Sequence, residues 1–542
     1  MISQVKRYYH TLKYLTLRQT AGRVWGELRR RLQLYTLPDT LLFNETGLHP
    51  TVLFLDHDPW NRSDDLESGR FTFLNQSEDL GWPVDWNPEG ASLLWKFNLH
   101  YFNCLHLLDA HRQEGFCLDW IASNTNRRGI AWHPYPVSLR IINWCKADLA
   151  NTEIQKSVYE QAAYLYRNTE FYHPANHYLE NARALIFAGV YFQGAGESSK
   201  WLNKGLEVFR RELPEQLLDD GGYFELSPMY HGLMLVAILD VINILEISHP
   251  EYQLLQEYAS KMADFLLSMT HPDGHISLFN DSTQEIAPPT EKIIDYYQGL
   301  VDAEPQRRIR FSDSGYYILA NEDVYCVVDG GQIGPDRIPA HAHADIFSYE
   351  LSISGKQFIV NSGVYEYAAG PMRQYNRGTR SHNTVMIDNT DQAEVWSSFR
   401  VARRYRPHDI QFTSDDNAAS FSGQYAGYGK LIGDSIIHAR QIDLEKTNGS
   451  IRISDDIRGD GRHNVSSFIH LHPEVEVDMR EGTVHLSRDG IHCRIESPDI
   501  TPELEFGWYS PHFGQKNRKT VIVFRLNRRL PAALKYRIVP IN

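Results

Sequence analysis

The sequence is short of cysteine and has no long apolar run. Its five Cys residues are scattered over 542 positions, and no C-x-x-C pair suggests zinc or redox chemistry. No stretch reaches the roughly 20 apolar residues of a membrane-spanning helix. The best candidate, residues 233–245, is interrupted by Asp240. We therefore expect free, buried thiols, a buried core helix at this stretch and no transmembrane segment.

Positive charge is also in deficit. The chain has 54 Lys and Arg residues against 68 Asp and Glu residues, a formal net charge of −14. Such a surface opposes broad contact with phosphates, so we expect no nucleic-acid partner. Residues 1–35 are the exception, because they hold eight basic residues and one acidic residue. They fit a basic amphipathic helix, which either docks on the rest of the chain or makes peripheral contact with an anionic membrane.

The spacing of apolar residues divides the rest of the chain in two. From about residue 92 to residue 300 it follows the period of amphipathic helices, and after Pro305 it changes to the alternation of strands. We predict an α+β multidomain fold. Residues 1–90 form a basic N-terminal extension that packs on a toroid. An (α/α) toroid of helical hairpins follows at 91–305, and a large antiparallel β-sandwich at 306–542.

Four short motifs carry side chains suited to chemistry. If residues 341–345 are extended, two imidazoles and a carboxylate share one face, a donor set that suits zinc. Tyr230 precedes an apolar helix, where its phenol can project into a cleft. The motifs are Asn176-His177-Tyr178-Leu179-Glu180-Asn181, Gly222-Tyr223-x-Glu225-x-Ser227-Pro228-x-Tyr230-His231, His341-Ala342-His343-Ala344-Asp345 and Ser381-His382-Asn383-Thr384-Val385.

Taken in this order, the motifs resemble the heparinase II/III family of polysaccharide lyases. The segments at 132–141 and 394–399 resemble its branch associated with bacterial exopolysaccharides. The resemblance implies a toroid followed by a β-sandwich, and an acidic, uronate-containing polysaccharide as the partner. It also implies β-elimination: the proton at C5 leaves, the C4–O bond breaks and an unsaturated uronate forms. Location in the cell envelope or periplasm is implied as well, although no clear signal peptide is present and a cytoplasmic location stays open.

The resemblance assigns roles to individual residues. Tyr230, His341 and Asn176 become the catalytic set, with Asn176 neutralising the uronate carboxylate, and His177 and Glu180 become substrate-binding residues. The pKa of Tyr230 must then fall from about 10 under an adjacent positive charge. His341 would supply that charge, or act as the base for the opposite C5 epimer. Guanidinium groups match carboxylate geometry, so the candidates for gripping the polymer are Arg140, Arg377 and Arg380, with Arg373 and Tyr375.

The resemblance also implies a structural zinc ion held by His343, position 361 and His382, and no organic cofactor. Here the sequence departs from the family, since Asn361 stands where an Asp is expected. A neutral carbonyl oxygen binds zinc less strongly than a carboxylate unless Asp345 or water compensates. Whether the site holds a metal ion is therefore open.

Two other functions remain compatible with the sequence. One is a glycoside hydrolase on the same toroid that uses Glu180 and Glu225 as paired carboxylates. The other is a non-catalytic glycan-binding or assembly protein of an exopolysaccharide system, suggested by Asn361 and the basic N-terminus. Unsaturated products would identify a lyase, whereas saturated ends would identify a hydrolase.

Overall fold

The structure is a computed structural model that describes residues 2–32 and 46–541. It shows an α+β fold in which the large helices precede most of the strands. The five cysteines are free and buried, as predicted. The described α-helices are α1 (Ile2–Leu12), α2 (Leu17–Leu32), α3 (Ser63–Glu67), α4 (Leu93–Leu99), α5 (Ala110–Ser123), α6 (Pro134–Ala147), α7 (Thr152–Asn168), α8 (Asn176–Tyr191), α9 (Ser198–Gln216), α10 (Pro228–Ile244), α11 (Tyr252–Ser268), α12 (Thr290–Gln298), α13 (Pro371–Arg377) and α14 (Gly427–Ile432).

Helix α10 lies at the centre of the helical part. Its apolar residues surround the whole helix, so nearly every side chain is buried, and the predicted core helix is confirmed. The one carboxylate in its apolar stretch, Asp240, accepts hydrogen bonds from Arg183 and from Tyr296 and lies 3.0 Å from Lys146 Nζ. A buried charge of this kind is tolerated because it is paired. None of the described helices is long and apolar enough to cross a membrane.

The strands after residue 309 form one two-stranded sheet, β10-β9, and three larger antiparallel sheets of five, eight and four strands. Their orders are β3-β4-β5-β6-β7, β11-β12-β13-β14-β21-β18-β17-β16 and β19-β20-β15-β8. The strands are β1 (Arg70–Phe73), β2 (Gln76–Asp79), β3 (Arg310–Phe311), β4 (Tyr316–Ala320), β5 (Val324–Asp329), β6 (Tyr349–Ile353), β7 (Lys356–Ile359), β8 (Val385–Ile387), β9 (Val395–Trp396), β10 (Arg400–Val401), β11 (His408–Ser414), β12 (Ala418–Tyr425), β13 (Ile437–Glu445), β14 (Ser450–Arg458), β15 (Arg462–His470), β16 (Glu476–Arg480), β17 (Thr483–Arg488), β18 (Ile491–Glu496), β19 (Glu503–Tyr509), β20 (Asn517–Arg529) and β21 (Ala532–Ile541).

Two local expectations differ from the structure. Residues 341–345 are not a strand; they form an irregular loop between β5 and β6. The N-terminal extension does not pack on the helical part alone. Helix α2 lies against Phe171 and Tyr172, whereas α1 contacts β9, where the rings of Tyr8 and Trp396 are 5.1 Å apart.

Candidate functional site

A cleft of about 120 Å³ opens among α6, α8 and α10. Predicted residues Asn176, Glu180 and Tyr230 all line it, the first two from α8 and the third from α10. Two basic residues, Lys146 and Arg183, also line the cleft, and so do two acidic residues, Asp56 and Glu180. The charges of the lining are therefore balanced, and both cations are already paired with carboxylates.

Tyr230 lies in the first turn of α10, and the sequence fixes that turn. Ser227 caps the helix, because its hydroxyl accepts a hydrogen bond from the Tyr230 N–H at 3.3 Å, and Pro228 occupies the first helical position. The same hydroxyl donates to the carbonyl of Asp281 at 2.7 Å. The cap therefore joins the helix that carries the tyrosine to the loop that carries a buried carboxylate.

The rings of Tyr230 and His341 face each other across the junction of the helical part and the sheets. Their centroids are 4.0 Å apart. The Tyr230 hydroxyl oxygen also lies 3.1 Å from that of Tyr367, which follows β7. A phenol and an imidazole in contact can act as an acid and a base on neighbouring atoms of one substrate.

Asp281 connects the histidine loop to the helical part. Its fully buried carboxylate accepts hydrogen bonds from His341 Nδ1 and His343 Nε2, both at 2.9 Å. It also accepts hydrogen bonds from Nη1 and Nη2 of Arg373. Burial opposes ionisation, yet Arg373 and the two histidines hold the pKa of Asp281 well below its usual range. Because a carboxylate only accepts, each neutral imidazole must donate to it, which leaves His341 Nε2 and His343 Nδ1 as acceptors.

The pKa of Tyr230 differs from the prediction. Burial raises it well above its ordinary value, and the neighbouring Tyr367, Asp281 and Glu225 raise it further. The predicted lowering by His341 does not occur, because burial has the largest effect on the pKa of Tyr230 and raises it. Tyr230 therefore rests as a neutral phenol, which is a proton donor.

His177 contributes positive charge beside Asn176. The backbone N–H of His177 donates to Asn176 Oδ1 at 2.8 Å. The ring of His177 stacks on that of Tyr135, which lines the cleft, with the ring centroids 4.2 Å apart. Its Nδ1 lies 3.2 Å from the buried carboxylate of Glu170. Burial favours the neutral forms of both groups, but their attraction for each other outweighs it. The pKa of His177 is therefore raised, and that of Glu170 falls to about 2.

Glu180 lies at the cleft with its charge already paired. It is 3% exposed, and its carboxylate accepts two hydrogen bonds from Arg183 at 3.0 and 3.2 Å. Arg183 is bound in turn to Asp240. Glu180 therefore holds a cation at the cleft rather than offering a free carboxylate.

A second group of buried donor atoms lies on the sheet side of Asp281. His343 Nδ1, Asp345 Oδ2 and His382 Nε2 are all buried without a hydrogen-bond partner. One ligand atom from each of these residues lies within 4.8 Å of the others. Buried atoms of this kind are costly unless a cation or water satisfies them, so the three residues fit a metal ion.

Asn361 is positioned behind this group. Its Oδ1 accepts hydrogen bonds from His382 Nδ1 at 3.1 Å and from Ser348 Oγ at 3.0 Å. With both lone pairs engaged, it orients His382 in the way that outer residues orient metal-binding histidines. Asp345 is therefore a candidate ligand beside His343 and His382, and the role of Asn361 as a ligand stays a prediction.

Two family models match successive parts of the chain. "Heparinase II/III N-terminus" matches residues 118–309, and "Heparinase II/III-like, C-terminal" matches residues 303–537. The chain belongs to the heparinase II/III family. Both models overlap only near residue 305, where the helices give way to strands.

Members of the heparinase II/III family with curated names are similar over part of their length. A heparin-sulfate lyase of Bacteroides stercoris is 24% identical over 67% of this chain and 56% of its own length. One of Pedobacter heparinus is 28% identical over 59% of this chain and 55% of its own length. The matched region thus spans little more than half of each relative. A crystal structure of a heparan sulfate lyase mutant from Pedobacter heparinus has a TM-score of 0.64 at 18% identity, covering 97% of this chain and 89% of that one, which shows a shared fold.

The arginines predicted to bind the polymer do not line the cleft. Arg140 is fully buried and donates to Gln161 Oε1 at 2.8 Å and to the Ala131 carbonyl at 2.9 Å. Arg377 is 1% exposed and donates to the Ala342 carbonyl at 3.1 Å, so it supports the histidine loop from behind. All three guanidinium nitrogens of Arg140 donate to protein acceptors, whereas Nη2 of Arg377 is buried without a hydrogen-bond partner. Neither residue lines the cleft.

The remaining basic candidates also differ from their predicted roles. Arg380 is exposed and pairs with Glu505 on β19 at 2.7 Å, away from the residues that line the cleft. Arg373 is fully buried against Asp281. The basic residues that line the cleft are Lys146 and Arg183, which were not predicted and are paired with carboxylates. The predicted His177 stacks on Tyr135 of the lining, and its pKa is raised.

Proposed function

We propose that this protein is a polysaccharide lyase that cleaves a uronate-containing polysaccharide by β-elimination. The observation that carries the proposal is the contact between Tyr230 and His341 beside the cleft, with His341 held by the buried Asp281. The names of the curated relatives, heparin-sulfate lyases, support a substrate of the glycosaminoglycan class.

β-Elimination asks three things of such a site. The uronate carboxylate must be neutralised so that the C5 proton becomes acidic, a base must take that proton, and an acid must protonate O4 as the C4–O bond breaks. The electron pair of the C5–H bond becomes the C4–C5 double bond, and no water is consumed. Asn176 and protonated His177 are placed to meet the carboxylate.

The protonation states suggest how the remaining roles are divided. His341 Nε2 is the acceptor left free by the bond from Nδ1 to Asp281, so it takes the C5 proton. Glu225 Oε1, 3.8 Å from Nε2, then stabilises the imidazolium. Tyr230, whose pKa is raised, keeps its proton until O4 leaves. This division supports a base and an acid on separate side chains.

The carboxylates fit a hydrolase poorly. A glycoside hydrolase needs two carboxyl groups directed at one glycosidic bond. Glu180 is bound to Arg183, and Glu225 is 2% exposed beside His341. The site therefore favours elimination.

Product analysis tests the proposal. The full chain is incubated with heparan sulfate, alginate and acidic bacterial exopolysaccharide, and the ultraviolet absorbance of unsaturated uronate is followed. We expect absorbance to rise as chain length falls for one of these polymers. Shortening with saturated ends would show hydrolysis, and binding without shortening of any polymer would show a non-catalytic protein.

We also propose that the helices form an (α/α) toroid and the sheets a sandwich. Successive helices pack as neighbours, as in α8 with α9 and α10 with α11, and residues of all three large sheets share one apolar core. The link to an exopolysaccharide of the cell envelope is supported by the motifs at 132–141 and 394–399.

We propose that a structural metal ion occupies the group formed by His343, Asp345 and His382. The bound cation would join the histidine loop to the segment before β8 and neutralise Asp345, whose burial raises its pKa to about 7. We expect purified protein to retain about one equivalent of zinc by elemental analysis, and a chelator to lower its melting temperature.

Two substitutions distinguish the contribution of Asp345 to metal binding from that of Asn361. Asp345→Asn should abolish retention of metal through dialysis, since it removes the anionic ligand, whereas Asp313→Asn, at an exposed position, should not. Asn361→Asp should tighten binding by adding a second carboxylate. Metal retained fully by the Asp345→Asn protein would contradict this assignment.

The His177–Glu170 pair predicts a pH dependence. The raised pKa of His177 means that its charge is complete below its ordinary value of 6.5 and is lost as pH rises through the higher value in the folded protein. Glu170, whose pKa is about 2, stays ionised throughout this range. We expect KM for an acidic polymer to rise about tenfold as His177 loses its proton, with a smaller change in kcat.

A substitution assigns this effect to one histidine. His177→Gln should raise KM about tenfold at low pH and make KM independent of pH in this range. His106→Gln, at an exposed position, should keep the parental profile. A His177→Gln profile that still followed the parental curve would exclude His177 as the carboxylate-binding group.

A further inference from the structure

The two N-terminal helices present apolar side chains to solvent on the side that faces away from the protein. Of the 21 exposed large hydrophobic residues in the described chain, nine lie between Val5 and Leu28. Monomeric proteins rarely leave such a concentration uncovered unless it contacts a partner or a membrane.

In α1 the two sides are clearly separated. Val5, Tyr9 and Leu12, at i, i+4 and i+7, share one face and are 64%, 65% and 55% exposed. The opposite side contacts β9: the guanidinium of Arg7 lies over the Trp396 ring, and Thr11 Oγ1 accepts a hydrogen bond from Trp396 Nε1 at 3.3 Å.

In α2 the same division recurs. Leu17, Val24 and Leu28 share one face and are 90%, 67% and 45% exposed. Gly22 and Gly26 are on the opposite face, where an added Cβ would lie 2.8 Å from Phe171 and from Tyr172. The close approach of α2 to the protein through these glycines fixes the direction of its apolar face.

We propose that these two faces form an interfacial docking surface for an anionic lipid bilayer. The exposed apolar side chains would enter the boundary between headgroups and acyl chains, and the basic residues would meet the anionic headgroups. Lys6 and Lys13 flank the α1 face and are exposed. The wider segment of residues 1–35 has eight basic residues and one acidic residue.

Charge distinguishes this occupant from the alternatives. A second copy would bring two such basic segments together, which electrostatic repulsion opposes. An acidic polysaccharide would satisfy the basic residues but would leave the apolar faces in water. An anionic bilayer satisfies both properties of the surface.

Helix α2 is linked to His177 through one other histidine. Arg23 of α2 lies 3.0 Å from Nε2 of His173, whose ring is 6.0 Å from that of His177. A protein held to a membrane through α1 and α2 would therefore keep His177 near the bilayer. This relation bears on which polymers meet the cleft, but the docking itself does not depend on lyase activity.

Vesicle sedimentation tests the proposal with the full chain. Vesicles of phosphatidylcholine alone are compared with vesicles that also contain phosphatidylglycerol, at low and high salt. We expect binding to the anionic vesicles at low salt and its loss at high salt, with Lys6→Glu/Lys13→Glu lowering the partition coefficient by about fivefold or more per charge. Absence of binding to anionic vesicles at low salt, or equal binding to both kinds, would overturn the proposal.

A matched pair of triple variants isolates the apolar faces. Leu17→Ser/Val24→Ser/Leu28→Ser should lower the partition coefficient about tenfold or more. Leu53→Ser/Leu93→Ser/Ile247→Ser, which changes side chains that are 91%, 63% and 76% exposed elsewhere, should leave it unchanged. Sedimentation velocity without vesicles completes the test. A monomer supports the proposal, whereas a dimer abolished by the first triple variant would assign the surface to a second copy and overturn it.

Discussion

We expect Tyr230→Phe to lower kcat by about 10²- to 10⁴-fold, the range in which positioned acids and bases contribute to catalysis. The substitution removes one oxygen atom from the first turn of α10. The ring remains, so the contact with His341 and the apolar packing are kept. What is lost is the phenol that protonates O4 in the proposed mechanism. This phenol is neutral because burial and the neighbouring Tyr367, Asp281 and Glu225 raise the pKa of Tyr230.

The measurement is steady-state formation of unsaturated uronate, paired with polymer binding by the inactive variant. Tyr258→Phe, at a partly exposed position on α11, removes a hydroxyl of the same kind and should retain full activity. Tyr367→Phe should have an intermediate effect, since its hydroxyl orients that of Tyr230 at 3.1 Å. Full turnover by Tyr230→Phe would remove the phenol from the mechanism.

Asp281→Asn should reduce both stability and activity. The carboxylate has no exposure and is the shared partner of Arg373, His341 and His343. An amide of the same size cannot neutralise Arg373, and breaking a buried pair from one side costs about 3–5 kcal/mol. We expect the free energy of unfolding in urea to fall by that amount. Activity should fall as well, because an amide can donate to His341 Nδ1 and so reverse its tautomer.

A double variant separates the two consequences. Asp281→Asn/Arg373→Met removes both charges, and part of the lost stability should return because no buried cation remains unpaired. Activity should not return, since His341 still lacks its anionic partner. If the double variant were as active as the parent, the role of Asp281 would be only to neutralise Arg373.

The alternation of apolar and polar residues that predicts the sandwich is clear in many strands, but it is weak in others, such as β12 and β15. Strand β12 alternates buried and partly exposed residues, but most of them are Ala, Ser and Gly, so its apolar signal is weak. Strand β15 contains buried polar residues such as His463 and Ser467. Cross-strand partners make these segments strands, and a local pattern does not contain them.

The candidate site was predictable where motifs carried it. Asn176, Tyr230, His341, His343 and His382 all stand in recognisable segments, and the structure brings them to one region. Asp281 and Glu170 were missed because each is a single carboxylate in an ordinary loop. A weak signal existed for Asp281, since it follows the apolar Leu278 and Phe279 in the polar run from Asn280 to Gln284.

By itself, the sequence determined the change from helices to strands, the free buried thiols and the family, because these follow from local periodicity, composition and contiguous motifs. The tertiary structure decided which charges are available. It buried Arg140 and Arg377 and placed the carboxylate of Asp345 beside His343 and His382. The reason is physical: a charged side chain acts according to its burial and its partners, and those partners come from loops far apart in the chain.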